Sequence, residues 1–264
     1  MYNFDYKKAG SVDEAAQIVG GDEDAKLLAG GMTYIPTLKQ RLASPTSVVD
    51  LNGLGDLSGV TVSGDTVTIG AMTRHGVVAG SSDIAGVIPA LADLAGHIGD
   101  PQVRNRGTLG GSIANNDPAA DYPAGLVGLG ATVKTNKREI SADDFFTGMF
   151  ETALGQDEIV VSVSFPKPEK AAYMKFPNPA SRYAIAGVFV AKTGSGVRVA
   201  VTGAGPSVFR VKEMEDALSA NWSADAVADI KVSADGLNED IHASAAYRAH
   251  LVTVMAKRAV AKAG

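Results

Sequence analysis

Two glycine pairs, Gly30-Gly31 and Gly110-Gly111, constrain this chain more than any other feature of its sequence. A glycine pair carries no Cβ, so the backbone can approach another surface closely and turn successive N–H groups toward one anionic oxygen. The first pair lies in Ala29-Gly-Gly-Met-Thr33, directly after Lys26-Leu-Leu-Ala29, a short apolar run that reads as a buried strand ending in a loop. The second lies in Thr108-Leu-Gly-Gly-Ser112, with a hydroxyl on either side. Each alone reads more readily as a plain tight turn than as a ligand site. Together they point to a cradle for a diphosphate. Neither has the spacing of a P-loop or of a Rossmann turn. The residues by themselves therefore specify a phosphate-bearing small molecule and stop there.

The surrounding pattern is mixed α and β. Ser11-Val-Asp-Glu14 opens a helix with a capping-box spacing, a helix is expected over 35–42, and Ser47-Val-Val-Asp-Leu51 reads as a second strand. Residues 59–70 alternate around Gly64-Asp65 as a β-hairpin. Helices are expected over 73–81, 89–98 and 124–130, with strands over 131–134 and 158–165 and a turn or short helix over 143–146. The stretch from Arg104 to Ser112 reads as a glycine-rich loop. Pro166-Lys-Pro-Glu-Lys170 reads as a linker. Strands over 173–176, 184–192 and 197–202, then helices over 211–218 and 243–261, complete the chain.

Composition narrows the chemistry. The chain has no cysteine, which excludes a disulfide framework, a thiolate nucleophile and a Cys-ligated iron–sulfur cluster or zinc finger. Its four histidines (His75, His97, His242 and His250) are too dispersed for a metal site, so no metal is expected. Redox chemistry would have to reside on an organic cofactor. A net charge of -5 argues against a nucleic-acid partner. The start of the chain lacks a secretory h-region and no run is long enough for a transmembrane helix, so a cytoplasmic protein is expected.

Longer stretches add a resemblance. Ala29-Gly-Gly-Met-Thr-Tyr-Ile-Pro-Thr-Leu-Lys-Gln-Arg-Leu42 with Val49-Asp-Leu51, Val67-Thr-Ile-Gly-Ala-Met-Thr73, Gly203-Ala-Gly-Pro206 and above all Asp100 to Asp121 resemble the flavin-binding medium subunit of the molybdenum hydroxylases, the family of bacterial carbon monoxide and xanthine dehydrogenases. The resemblance spans essentially the whole chain. It implies an α+β fold: a two-part FAD-binding domain of the vanillyl-alcohol-oxidase (PCMH) type, over 1–55 and 56–166, then a small α/β domain with an antiparallel sheet over 171–264. It implies FAD, with Ala29, Gly30, Gly31, Met32 and Thr33 lining the diphosphate, Tyr34 next to them as a further cofactor-binding residue, and Thr108, Gly110, Gly111 and Ser112 completing the cradle. Asn115, Asp117 and Asp121 belong to the same segment, Asp121 near the flavin or ribityl chain. Val160 and Lys175 match strand positions that touch the cofactor, and Ile98 stands near the isoalloxazine. Tyr183 reads equally as a ring stacked on the flavin or as a core strand residue.

The implied partners are a small subunit with two [2Fe–2S] clusters, a large subunit with the molybdenum cofactor, and an acceptor such as NAD or a quinone. The assembly would be a dimer of heterotrimers, with contact to the inner face of the membrane through the acceptor. Two departures stand out. Met32 occupies a position where many relatives carry His, and Arg182 precedes Tyr183 where an acid is common. Arg104 and Arg106 read as anion-steering, subunit-contacting or plainly solvated; His97 as a structural histidine or a flavin contact; Trp222 as a packing anchor. No catalytic acid–base pair is expected. A stand-alone FAD oxidase or dehydrogenase and an assembly subunit with a decayed site are the other readings.

Overall fold

A computed structural model describes residues 1–264. Strand β1 (Asp5–Lys8), helix α1 (Val12–Gly20), β2 (Lys26–Leu28), α2 (Tyr34–Lys39) and β3 (Ser47–Asp50) form a first unit, whose three strands pair in parallel in the order β1-β3-β2. Helix α1 starts where expected, because the Ser11 hydroxyl accepts the Glu14 N–H while Glu14 reaches back to the Gly10 N–H. Helix α2 ends earlier than the pattern predicts, at Lys39. Arg41 then takes a left-handed φ of 60° and turns the chain toward β3.

The second unit holds β4 (Val60–Ser63), β5 (Thr66–Gly70), α3 (His75–Gly80), α4 (Ser82–Val87), α5 (Pro89–Gly96), α6 (Pro101–Arg106), α7 (Leu109–Asn115) and α8 (Tyr122–Leu129). It continues through β6 (Thr132–Thr135), β7 (Glu139–Ser141), α9 (Ala142–Phe145), β8 (Phe146–Gly148), β9 (Glu151–Thr152) and β10 (Val160–Pro166). Its five-stranded antiparallel sheet runs β4-β5-β10-β6-β7, so the last strand returns to the centre beside the hairpin. Ile69, Val163, Leu91, Ile113 and Leu126 are among the wholly buried side chains that join sheet and helices in one core.

The third unit is a four-stranded antiparallel sheet, β11 (Lys170–Pro177), β12 (Ala184–Thr193), β13 (Gly196–Thr202) and β14 (Phe209–Arg210), with α10 (Lys212–Ala220) and α11 (Ala245–Ala263). Nearly every residue of β12 is buried because both faces are covered. Val188 and Val190 face a core shared with α10 and α11, while Phe189 and Ala191 face the second unit. That explains why the strand reads as a continuous apolar run rather than an alternation. Glycines make the contact close: a Cβ on Gly128 of α8 would stand 2.6 Å from Phe189. Trp222 packs against the α10–α11 core as an anchor.

The largest correction concerns the second glycine segment. Residues 104–112 are not a loop. Asp100 caps α6, with its Oδ1 2.8 Å from the Val103 N–H and Pro101 in the first turn, and Thr108 caps α7. Gly110 and Gly111 are thus first-turn residues of a helix whose low intrinsic propensity hides it from pattern reading. No helix is long and apolar enough to cross a membrane.

Candidate functional site

The two glycine segments meet. A Cβ on Gly30 would lie 2.2 Å from the Arg106 carbonyl oxygen and 2.7 Å from Gly107 Cα, so the first loop rests directly on the chain entering α7. A Cβ on Gly110 would lie 2.5 Å from the Ala71 methyl, and one on Gly111 3.3 Å from that of Ala29. Gly31 sits at φ 75°, a region open mainly to glycine.

The division of labour between the loops is unequal. The N–H groups of Gly30, Gly31, Met32, Thr33 and Tyr34 have no acceptor in the chain, and hydrogen bonding resumes only at Ile35, whose N–H donates to the Gly31 carbonyl. A run of consecutive unpaired N–H groups turned by a left-handed residue, here Gly31, suits an anionic oxygen. The second segment is already satisfied: Gly110 donates to the Ala71 carbonyl at 2.7 Å, Gly111 to Thr108 Oγ1 at 3.2 Å, and Ser112 to the Thr108 carbonyl. The Thr108 hydroxyl is therefore committed to its cap, while the Ser112 hydroxyl and the Asn115 amide remain free of protein partners and partly exposed. The first loop offers donors; the second supplies a rigid floor. The residues present fit an FAD diphosphate on this ground.

A buried ion pair stands behind the floor. Lys175 Nζ lies 2.9 Å from Asp121 Oδ2 and 3.0 Å from the His97 carbonyl, with both charged side chains almost wholly buried, and the Tyr173 hydroxyl donates to Asp121 Oδ1 at 2.6 Å. Burial pushes the Asp121 carboxyl up, against the pull of Lys175 and Tyr173. Asp117 is likewise raised by burial, while its Oδ1 accepts the Ala119 N–H. Tyr183, nearly half exposed, stands beside the site: burial raises its hydroxyl, Asp117 and Asp121 add to the rise, and the neighbouring Thr33 pulls the other way. It is thus no core residue. The preceding Arg182 holds a left-handed φ of 62°, locked by its N–H to the Asn178 carbonyl.

Other positions fall as follows. Ile98 packs half-buried on the second core, and Val160 is buried within it at the start of β10. Met32 is half-buried at the loop and Tyr34 begins α2 with a hydroxyl that lacks a partner. His97 is neither buried nor a free ring; it is half exposed, its Nδ1 2.8 Å from the Asp93 carbonyl one turn back. Arg104 is not a solvated loop residue, since its guanidinium donates to the Ile98 and Gly99 carbonyls from α6. Arg106 is exposed, and its carbonyl meets Gly30.

Sequence reasoning missed Asn116 and His75. Asn116, at a left-handed φ of 43°, donates to the Gly148 and Glu151 carbonyls at 2.8 and 2.7 Å and so ties α7 to the β8–β9 turn. Its position just past a glycine-rich helix is the signal that could have found it. His75 is buried beside Gly107 with its ring 5.3 Å from that of Tyr122; burial, aided by Arg104, lowers it from 6.5 to about 4. Its folded-state value lies below the unfolded one, so protonation favours unfolding. Up to about 3 kcal/mol of stability is expected to drain away as pH falls from 6.5 to 4. Urea unfolding across that range should show a shallower loss in His75→Gln.

The geometry suits a phosphate-bearing small molecule: the glycine segments of the first and second units meet, and Tyr183 of the third stands beside them. Comparison with known proteins takes this further. The family model described as "FAD binding domain in molybdopterin dehydrogenase" matches residues 2–168, and "CO dehydrogenase flavoprotein C-terminal domain" matches residues 171–263. The chain belongs to the FAD-binding medium subunits of the molybdenum hydroxylases. It is 35% identical to the nicotine 6-hydroxylase medium subunit of Paenarthrobacter nicotinovorans, over 98% of this chain and 96% of that one. It is 34% identical to the carbon monoxide dehydrogenase medium chain of Hydrogenophaga pseudoflava, over 97% and 96%. Its fold matches a chain of reconstituted carbon monoxide dehydrogenase from Oligotropha carboxidovorans with a TM-score of 0.90, at 32% identity and over 99% and 97% of the two chains. The FAD domain with a C-terminal antiparallel sheet, expected from the resemblance, is what the structure shows.

Proposed function

We propose that this chain is the electron relay of a three-subunit molybdenum hydroxylase. The division into 1–55, 56–166 and 171–264 assigns the first two units to FAD and the third to closing the site. Electrons from a substrate oxidised on a large molybdopterin subunit pass through a small [2Fe–2S] subunit and leave through FAD to NAD, a quinone or another external acceptor. Bound flavin suits that junction because it takes electrons singly and releases them in pairs. A cytoplasmic dimer of heterotrimers, meeting the membrane only through its acceptor, fits this reading.

The observation that carries the proposal is the run of unpaired N–H groups from Gly30 to Tyr34 in a chain with no cysteine. The chain holds donors for a dinucleotide and no ligand set for a cluster. Its own residues bind and orient: Gly30 to Tyr34 take the diphosphate, Thr33, Ser112 and Asn115 add polar contacts, and Tyr183 covers the mouth. The acid–base side chains nearby are committed elsewhere, Asp121 to Lys175 and Tyr173, and His97 to its own helix. Medium subunits of hydroxylases named for nicotine and for carbon monoxide match this chain almost equally, as a subunit remote from the substrate should.

The test is co-purification from native cells. The chain should emerge with two partners and a spectrum combining flavin and iron–sulfur absorption, and substrate should bleach both. Recovery as a flavoprotein without partners that turns over a small substrate itself would overturn the proposal in favour of a stand-alone dehydrogenase.

A further inference from the structure

Beside the cradle lies a polar chain that the sequence reading passed over. Asn52 follows β3, and its Nδ2 donates to the Ala29 carbonyl at 2.9 Å and to Asp50 Oδ1 at 2.6 Å. Asp50 Oδ1 also accepts the Asn52 N–H at 2.9 Å, and Asp50 Oδ2 accepts the Tyr6 hydroxyl at 2.6 Å. The amide cannot rotate end for end, because that would set its oxygen against two acceptors. The parallel ladder of β2 and β3 runs out at the Leu51 N–H donating to the Leu28 carbonyl, and Asn52 continues it by one step through its side chain.

That step has a geometric consequence. The Ala29–Gly30 peptide is trans, as are all in the chain, so its carbonyl and the Gly30 N–H point in opposite directions. Holding the Ala29 carbonyl toward Asn52 holds the Gly30 N–H, the first of the unpaired run, away from it. Gly30 has no Cβ to set its own orientation, and its φ and ψ are otherwise soft. We propose that Asn52, oriented by Asp50 and Tyr6, is a positioning residue that fixes the Ala29–Gly30 peptide plane with its N–H presented to the cofactor diphosphate. This rests on the reading of Gly30 to Tyr34 as the diphosphate cradle. Asn52 itself does nothing to the flavin; it keeps one donor from flipping.

The experiment titrates the full chain, freed of flavin, with FAD, ADP and riboflavin, and records the thermal unfolding midpoint of the flavin-free protein. In Asn52→Ala and Asn52→Asp, dissociation constants for FAD and ADP should rise about three- to tenfold, the worth of one hydrogen bond to the ligand. Riboflavin affinity and the unfolding midpoint of Asn52→Ala should stay unchanged. A general loss of structure would shift riboflavin and the midpoint as well, and would overturn the positioning role. Unchanged FAD and ADP affinity in both Asn52 variants, with Gly30→Ala still abolishing binding, would overturn it and leave the cradle standing. If Gly30→Ala also binds FAD normally, the cradle reading fails and the positioning role goes with it.

Discussion

Gly30→Ala should abolish FAD binding, weakening it at least a hundredfold, and should lower stability by about 1–3 kcal/mol. The added methyl would sit 2.2 Å from the Arg106 carbonyl oxygen and 2.8 Å from its carbon. These atoms and Gly107 Cα are all backbone of one peptide, with no flexible side chain to give way, so the first loop must lift off α6 and α7, at the usual cost of an overpacked contact. The unpaired N–H groups lift with it, and a loss of cradle geometry of this kind falls on affinity more than on folding. Gly128→Ala is the matched comparison. Its methyl meets Phe189 at 2.6 Å, a similar clash at the contact of α8 with β12 and away from the cradle. It should cost comparable stability and leave FAD affinity within about twofold. Isothermal titration and urea unfolding of both variants measure the two quantities separately.

Lys175→Met should cost about 3–5 kcal/mol, because it leaves the Asp121 carboxylate buried with only the Tyr173 hydroxyl for company. Asp121→Asn combined with Lys175→Met should recover most of that loss, since no uncompensated charge is then buried. The pH dependence gives the sign. Without Lys175 the folded-state value of Asp121 rises further above its unfolded one, so the native form binds the extra proton. The single variant should therefore gain stability relative to wild type as pH falls, and lose it as pH rises from the unfolded carboxyl value through the raised folded one. The pair joins β11 to the start of α8, so Lys175→Met should also loosen the Tyr183 segment and speed FAD release. Stopped-flow displacement by excess cofactor reads that rate.

What the sequence made legible was local or repeated in kind. Ser11 to Glu14 announced a cap, residues 59–70 a hairpin, and Pro166 to Lys170 a break between sheets, because each is decided by neighbours a few residues apart. The glycine pairs were legible as close approaches, but not which surface each would meet. Gly110 turned out to serve packing on Ala71 and Gly30 contact with Arg106, partners far away in the chain. Helices α4, α6 and α7 escaped notice because each is only six or seven residues long and rich in weak helix formers, held by caps and tertiary contact rather than by propensity. The Asp121–Lys175 pair joins residues 54 apart on different units, and nothing in either segment reveals the other. Asn52 was invisible for a related reason: its work depends on where the Ala29 carbonyl ends up.

The central claim is that the donors from Gly30 to Tyr34 receive the FAD diphosphate while the second glycine segment only supports them. Amide hydrogen exchange, compared with and without one equivalent of FAD, tests it most directly. The N–H groups of residues 30–34 should exchange fast in the flavin-free chain and slow at least tenfold on binding. Those of Gly110 to Ile113, already bonded, should be protected in both states. Stoichiometric FAD binding with no protection gained at 30–34 would contradict the account.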